Sequence, residues 1–375
     1  MKKQHISLGR IFGIPIGLDI SWFLIFALIT WSLATSYFPQ GFKGWPVAEY
    51  WIMAAVTAIL FFVSVLLHEL GHSVIALRYK IPVRSITLFI FGGIAQIASE
   101  PPSASAEFWI AIAGPLVSFL LAGFFGLLQI VSSKLVPILA LAQYLAYING
   151  ALGLFNLIPG FPLDGGRVFR AFVWGVIHNF QRATRIAATL GRAIAFLFIA
   201  WGVWQIFIGN LSNGLWIAFI GWFLESAASA QLAQQNLHAL LEGHTVAQAM
   251  SQNYALIPGD MSLQQLADEH ILGSGRRFFV VEQAGLPVGL LTLSNLNKVP
   301  RQEWAGTSAA RAMTPVAQFH LLRTDTGLAE ALEDMNMEGI NQLPVVTGGQ
   351  VQGILTREGV VNFLHTLQSL HHSNT

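Results

Sequence analysis

The sequence contains no cysteine, and only 10% of its 375 residues are charged. Without a thiol there is no disulfide, no thiolate nucleophile and no Cys-based metal site. Any transition metal must therefore rest on His, Asp or Glu. Soluble domains carry about 25% charged residues. Less than half that share, beside 54% hydrophobic residues, argues for a membrane protein. The formal net charge is +1, which gives no reason to expect a nucleic-acid partner.

What the chain does have is a series of charge-free runs. A membrane span takes roughly 20 predominantly apolar residues. Runs at 19–38, 50–77, 108–131 and 136–158 meet that length, although the second takes in three titratable residues near its end. A fifth uncharged stretch, 193–224, is too long for one span. GNLSNG (209–214) interrupts it with Gly and Asn, which predicts two short spans and six in all. The lead-in MKKQHISLGRIFGIPIGLDI is long and polar for a signal peptide, and no small-x-small cleavage site follows the first run. An uncleaved first span is the expectation. Alternating six spans gathers Lys2, Lys3 and Arg10, then Arg78, Lys80 and Arg84, then Arg167, Arg170, Arg182, Arg185 and Arg192 on one side. Only Lys43 and Lys134 lie opposite, so both termini are expected in the cytosol.

The second run ends in FFVSVLLHELGHSVIALRYK (61–80), where His68, Glu69 and His72 form H-E-x-x-H. On a helix, positions i and i+4 share a face, so both imidazoles can reach one ion. Intramembrane ionisable residues are costly, and a functional site is their default explanation. Zinc on two neutral imidazoles needs one more protein ligand and leaves a position for water. The pKa of that water falls to about 7. Glu69, beside the first imidazole, is placed to take its proton and pass it to a leaving amine. The third ligand should lie at similar depth on the same side. Span four ends in FNLIPGFPLDGGR (155–167), whose only acid is Asp164. Pro159, Pro162, Gly165 and Gly166 around it predict a structured loop.

Between spans two and three, VRSITLFIFGGIAQI (83–97) is β-branched and aromatic and predicts a hairpin. From about residue 235 the composition becomes that of a soluble domain, and it repeats. TVAQAMSQ (245–252) is echoed by SAARAMTP (308–315), and FFVVEQAGLPVGLLTLSNL (278–296) by QLPVVTGGQVQGILTREGV (342–360). Two similar small domains packed together are expected.

HELGH in one membrane helix, followed by NLIPGFPLDGG, resembles the site-2 protease family of intramembrane zinc metalloproteases. The subgroup suggested has a six-helix core and a C-terminal pair of CBS (cystathionine-β-synthase) domains. The resemblance implies a polytopic α-helical membrane protein of about six transmembrane helices, a β-hairpin after the second, and an α/β tandem CBS pair. It divides the chain into a transmembrane metalloprotease domain (1–232), a linker (233–243), CBS domains at 244–300 and 307–368, and a tail (369–375). It implies one zinc ion on His68, His72 and Asp164, Glu69 as base, and Asn156 steadying substrate or oxyanion. AIAGPLVSF (111–119) matches a third-helix motif, with Ser118 where many members carry Asn. The FGG turn (91–93) matches a β-element beside the active site, where Gly92 and Gly93 would let an extended substrate approach and add a strand.

CBS pairs bind adenine nucleotides such as ATP or AMP, with an aspartate after Gly-x-Leu-Thr on the ribose. Here the stretches read Thr292-Leu293-Ser294-Asn295 and Thr356-Arg357-Glu358-Gly359. Thr292, Asn295 and Thr356 are the candidate contacts, Asn295 a weaker one, while Gly359 offers no side chain. The competing role is a structural or dimerising module, through which the protein would form a homodimer. The expected activity is regulated intramembrane proteolysis of single-span membrane proteins in the cell membrane. The alternatives are a CBS-regulated transporter or channel, and an inactive relative that only binds membrane helices. Glu69 discriminates, because permeation has no evident need for it.

Overall fold

The computed structural model describes residues 5–132, 134–271, 276, 278–315, 321–338, 340–347 and 350–372. These form two compact units, Met1–Ala233 and Gln234–Thr375.

Among the described residues, six helices are long and apolar enough to cross a membrane: α1 (Ile20–Gly41), α2 (Val47–Arg78), α3 (Ala104–Val131), α4 (Val136–Asn156), α6 (Phe180–Phe207) and α7 (Leu211–Leu241). A shorter amphipathic helix, α5 (Asp164–Ile177), lies between α4 and α6. The protein is a multi-pass membrane protein. The last two helices are not the short spans expected for 193–224. Asn179 caps α6 by accepting from the Arg182 N–H at 2.8 Å, so Arg182 and Arg185 stand on its first two turns, and Arg192 further along the same helix, instead of in a loop. Helix α7 runs on through most of the expected linker 233–243. An uncharged run measures the lipid-covered length of a helix, and both helices outreach it.

The hairpin β3 (Val83–Phe89) and β4 (Gly92–Ile97) belongs to a larger sheet. Residues before α1 supply β1 (His5–Ile11) and β2 (Ile14–Asp19), and the strand order is β1-β2-β3-β4. β2 runs parallel to β3, pairing Ile16 with Ile86 and Leu18 with Leu88. The alternate residues Ile14, Ile16 and Ile86 bury themselves against Leu70 of α2, while Leu18 and Leu88 pack on Val65. The sheet is thus clamped to the stretch of α2 that carries His68, Glu69 and His72. β4 is left as its edge strand.

In the second unit the two repeats exchange their opening segments. Strands β5 (Leu256–Pro258), β6 (Phe278–Gln283), β7 (Leu286–Thr292) and β8 (Thr314–Pro315) form one sheet; β9 (Gln342–Thr347) and β10 (Gln350–Thr356) form another. Val246, from the start of the first repeat, is buried among Leu328, Leu343, Leu355 and Val360 of the second. Ala309, from the start of the second, is buried with Phe279 and Leu291 of the first. A Cβ on Gly353 would meet the Met250 sulfur at 2.9 Å, and one on Gly289 would overlap that of Met313. The repeated Ala-Met pair and the repeated Gly-x-Leu-Thr step therefore interlock reciprocally.

Helices α6 and α7 approach backbone to backbone through small residues. A Cβ on Gly202 would overlap the Ala218 amide nitrogen, and one on Gly221 would sit 2.7 Å from the Ile199 nitrogen. Gly202→Val should therefore cost about 1–3 kcal/mol by overpacking. A lowered thermal midpoint in detergent is expected. Gly123→Val, with nothing within 4 Å of its Cβ, should leave the midpoint nearly unchanged.

Candidate metal centre

Helix α2 sets His68 and His72 one turn apart on its buried face, each 4% exposed. Helix α5 brings Asp164 to them. His68 Nε2 and His72 Nε2 lie 3.1 Å and 3.2 Å from Asp164 Oδ2, and 3.2 Å from each other. Asp164 does not sit in a loop, as the surrounding Pro and Gly predicted; it is the first residue of α5. Gly165 and Gly166 belong to that first turn because it packs directly on the backbone of residues 157–161, where a Cβ would collide. The negative carboxylate also suits a helix N-terminus.

Helix α3 supplies the other partners of both rings. His72 Nδ1–H donates to the Ile110 carbonyl at 2.7 Å, and His68 Nδ1 pairs with the buried Ser118 hydroxyl at 2.8 Å. Since a carbonyl only accepts, neutral His72 turns a bare lone pair inward at Nε2. With Ser118 accepting from His68, the second ring does the same. Gly114 lies under both rings, and a Cβ there would overlap His72 Nε2 and crowd His68 Nε2 at 2.6 Å. Gly71 admits the close approach of α2 and α3, its missing Cβ lying 3.0 Å from the Ala113 carbonyl.

Glu69 faces β4. A Cβ on Gly93 would meet its Cγ at 2.5 Å, and the Ala95 backbone amide faces its carboxylate. Gly92 adopts φ +128°, a conformation that favours glycine at the start of the edge strand. Asn156 is half-buried at the C-terminal end of α4, just before the turn that leads to Asp164. In the second unit, Thr292, Asn295 and Thr356 line one cavity of about 1180 Å³ together with Arg276, Lys298 and Arg357. Asn295 Oδ1 accepts from both the Thr292 hydroxyl (2.6 Å) and amide (3.1 Å), and Nδ2 donates to Thr314 Oγ1. The acceptor that a ribose hydroxyl would use is already taken, so the weak contact expected of Asn295 is not available from that atom.

A model of peptidase family M50 matches residues 56–137 and 126–198, and a CBS domain model matches 310–366. The Synechocystis protein sll0528, named as a candidate zinc metalloprotease, is 35% identical over 372 residues, 97% of this chain and 96% of its own. The chain belongs to peptidase family M50, the site-2 proteases. Rip3 of Mycobacterium tuberculosis, also named as a candidate zinc metalloprotease, is 35% identical over 96% of this chain and 93% of its own. A solved structure titled site-2 protease from Methanocaldococcus jannaschii is 33% identical, covers 61% of this chain and 95% of its own, and superposes with a TM-score of 0.41.

The family implies zinc, and the residues present fit it. All three candidate ligand atoms lie within 4.8 Å of one another. Atoms bonded at 2.0–2.1 Å to one tetrahedral ion stand roughly 3.3 Å apart, close to the observed 3.1–3.2 Å triangle. Two inward lone pairs and a carboxylate also form an acceptor-only cluster, which a cation satisfies. Ser118, Ile110 and Gly114 are the contributors that sequence reasoning did not assign, although two of them stand in AIAGPLVSF at i and i+4. Gly114→Ala should abolish zinc retention outright. Ser118→Ala should weaken zinc about tenfold or more, as loss of a partner behind a ligating imidazole does. Zinc stoichiometry and chelator competition on purified protein measure both.

Proposed function

We propose that this protein hydrolyses peptide bonds in transmembrane segments of membrane proteins. The observation that carries the reading is the 3.1–3.2 Å triangle of His68, His72 and Asp164 beside Glu69. Those three residues would hold zinc, which supplies Lewis acidity and lowers the pKa of water to about 7. Glu69 acts as general base and then general acid. It removes a proton from the attacking water as the C–O bond forms, and delivers it to the amide nitrogen as the C–N bond breaks. Asn156 steadies the substrate carbonyl or the oxyanion.

A transmembrane helix hides its amides in its own hydrogen bonds, so a turn must unwind before its carbonyls can be attacked. In lipid each unpaired amide costs several kcal/mol. The free edge of β4 offers replacement partners, and the flatness of Gly92 and Gly93 lets the substrate backbone come close to Glu69. The distribution of basic residues supports an orientation with both termini in the cytosol. There the cavity of the second unit takes an adenine nucleotide, whose phosphates suit Arg276, Lys298 and Arg357, and its occupancy regulates cleavage. The CBS pair is also the natural surface for a homodimer.

Glu69→Gln should lower cleavage of a model transmembrane peptide by at least about 100-fold while zinc stays at one per chain. His68→Ala should lose both. Cleavage by Glu69→Gln at the wild-type rate would contradict the mechanism. Assays with and without ATP or AMP test the regulatory part.

A further inference from the structure

Glu107 is an acid inside a membrane helix, wholly buried, and the chemistry above does not use it. It stands in the first turn of α3. Its Oε1 accepts from Arg167 Nε at 3.1 Å and from Arg170 Nη2 at 2.5 Å. Arg170 is itself only 7% exposed, lies over the Phe161 and Phe180 rings at 5.1 Å and 4.7 Å, and donates to Thr184 Oγ1. A buried charged cluster of this kind is weak evidence for stability alone. What distinguishes it is where its two ends are attached.

Both arginines belong to α5, the helix that begins with Asp164. Among the described residues, no side chain caps the start of that helix. The N-cap residue is Leu163, which makes no capping bond, and the first turn packs through Gly165 and Gly166 on the backbone of residues 157–161 without side-chain contacts from those two positions. On α3, Glu107 is followed at helical spacing by Ile110, Gly114 and Ser118, whose groups orient His72, admit both rings and orient His68. One stripe of one helix therefore touches both candidate imidazole ligands and two arginines of the helix that begins with the third ligand.

We propose that Glu107 is a positioning residue for the metal centre. Through Arg167 and Arg170 it fixes the rotation of α5, so that Asp164 meets the two imidazoles held by the same face of α3. This inference rests on His68, His72 and Asp164 holding the ion.

The test uses full-length protein in detergent, with zinc affinity from chelator competition and the visible d–d spectrum of the cobalt(II)-substituted form. Glu107→Gln should weaken zinc about tenfold or more and alter the cobalt spectrum. In an Asp164→Ala background the same change should have no further effect on affinity. Arg167→Gln leaves Arg170 on Glu107 and should weaken zinc by a smaller factor, again only when Asp164 is present. It decides the matter by the same criteria if Glu107→Gln does not fold. Unchanged affinity and spectrum would overturn the proposal, as would a loss that persists undiminished without Asp164. A wild-type protein that binds no cobalt would overturn the metal-centre reading itself, and the proposal with it.

Discussion

His68, His72 and Asp164 turn three lone-pair-bearing atoms toward one point inside a helix bundle surrounded by lipid. Such an arrangement repels itself unless a cation occupies its centre, and water is too scarce there to screen it. Much of the surrounding architecture follows from that constraint. Helix α3 gives each imidazole a partner for its other nitrogen and lays a glycine where any side chain would fill the space. The Pro-Gly-rich turn after α4 exists to start a new helix with a carboxylate at its first position, pressed backbone to backbone on that turn.

The sheet solves a second problem, access to a backbone that is already hydrogen-bonded. Two of its strands, β2 and β3, are anchored by branched aliphatic residues to α2, and β4 is left as an edge strand beside Glu69. An unpaired strand edge is ordinarily a liability. Next to a proteolytic base it is the feature that lets an unwound segment be held extended at the reacting atoms.

The HELGH spacing and the hairpin at 83–97 were legible from local patterns, and Asp164 was legible as the only acid in the turn at the same depth and side as the histidines. β1 and β2 were not. Their turn, Phe12-Gly13, puts a phenylalanine at φ 51°, where Asn or Asp is the usual signal, and β2 finds β3 as a parallel partner far away in the sequence. The start of α5 was hidden because glycines that mark a loop in isolation here permit close packing. Helices α6 and α7 outran their uncharged cores, since arginines stand on the first turns of α6. Glu107 gave no signal at all. A single acid at the edge of an apolar run looks like any helix start until its arginine partners are seen.

The repeats show the same limit. The echo of Ala-Met and Gly-x-Leu-Thr revealed two copies, but not that each copy's opening segment is buried in the other's core. The central claim concerns the ion itself. Zinc K-edge X-ray absorption on the purified, full-length protein tests it most directly. Two imidazoles and light oxygen ligands at about 2.0–2.2 Å are predicted, with one imidazole lost in His72→Ala. A spectrum with no imidazole scattering, or one indifferent to His72, would contradict it.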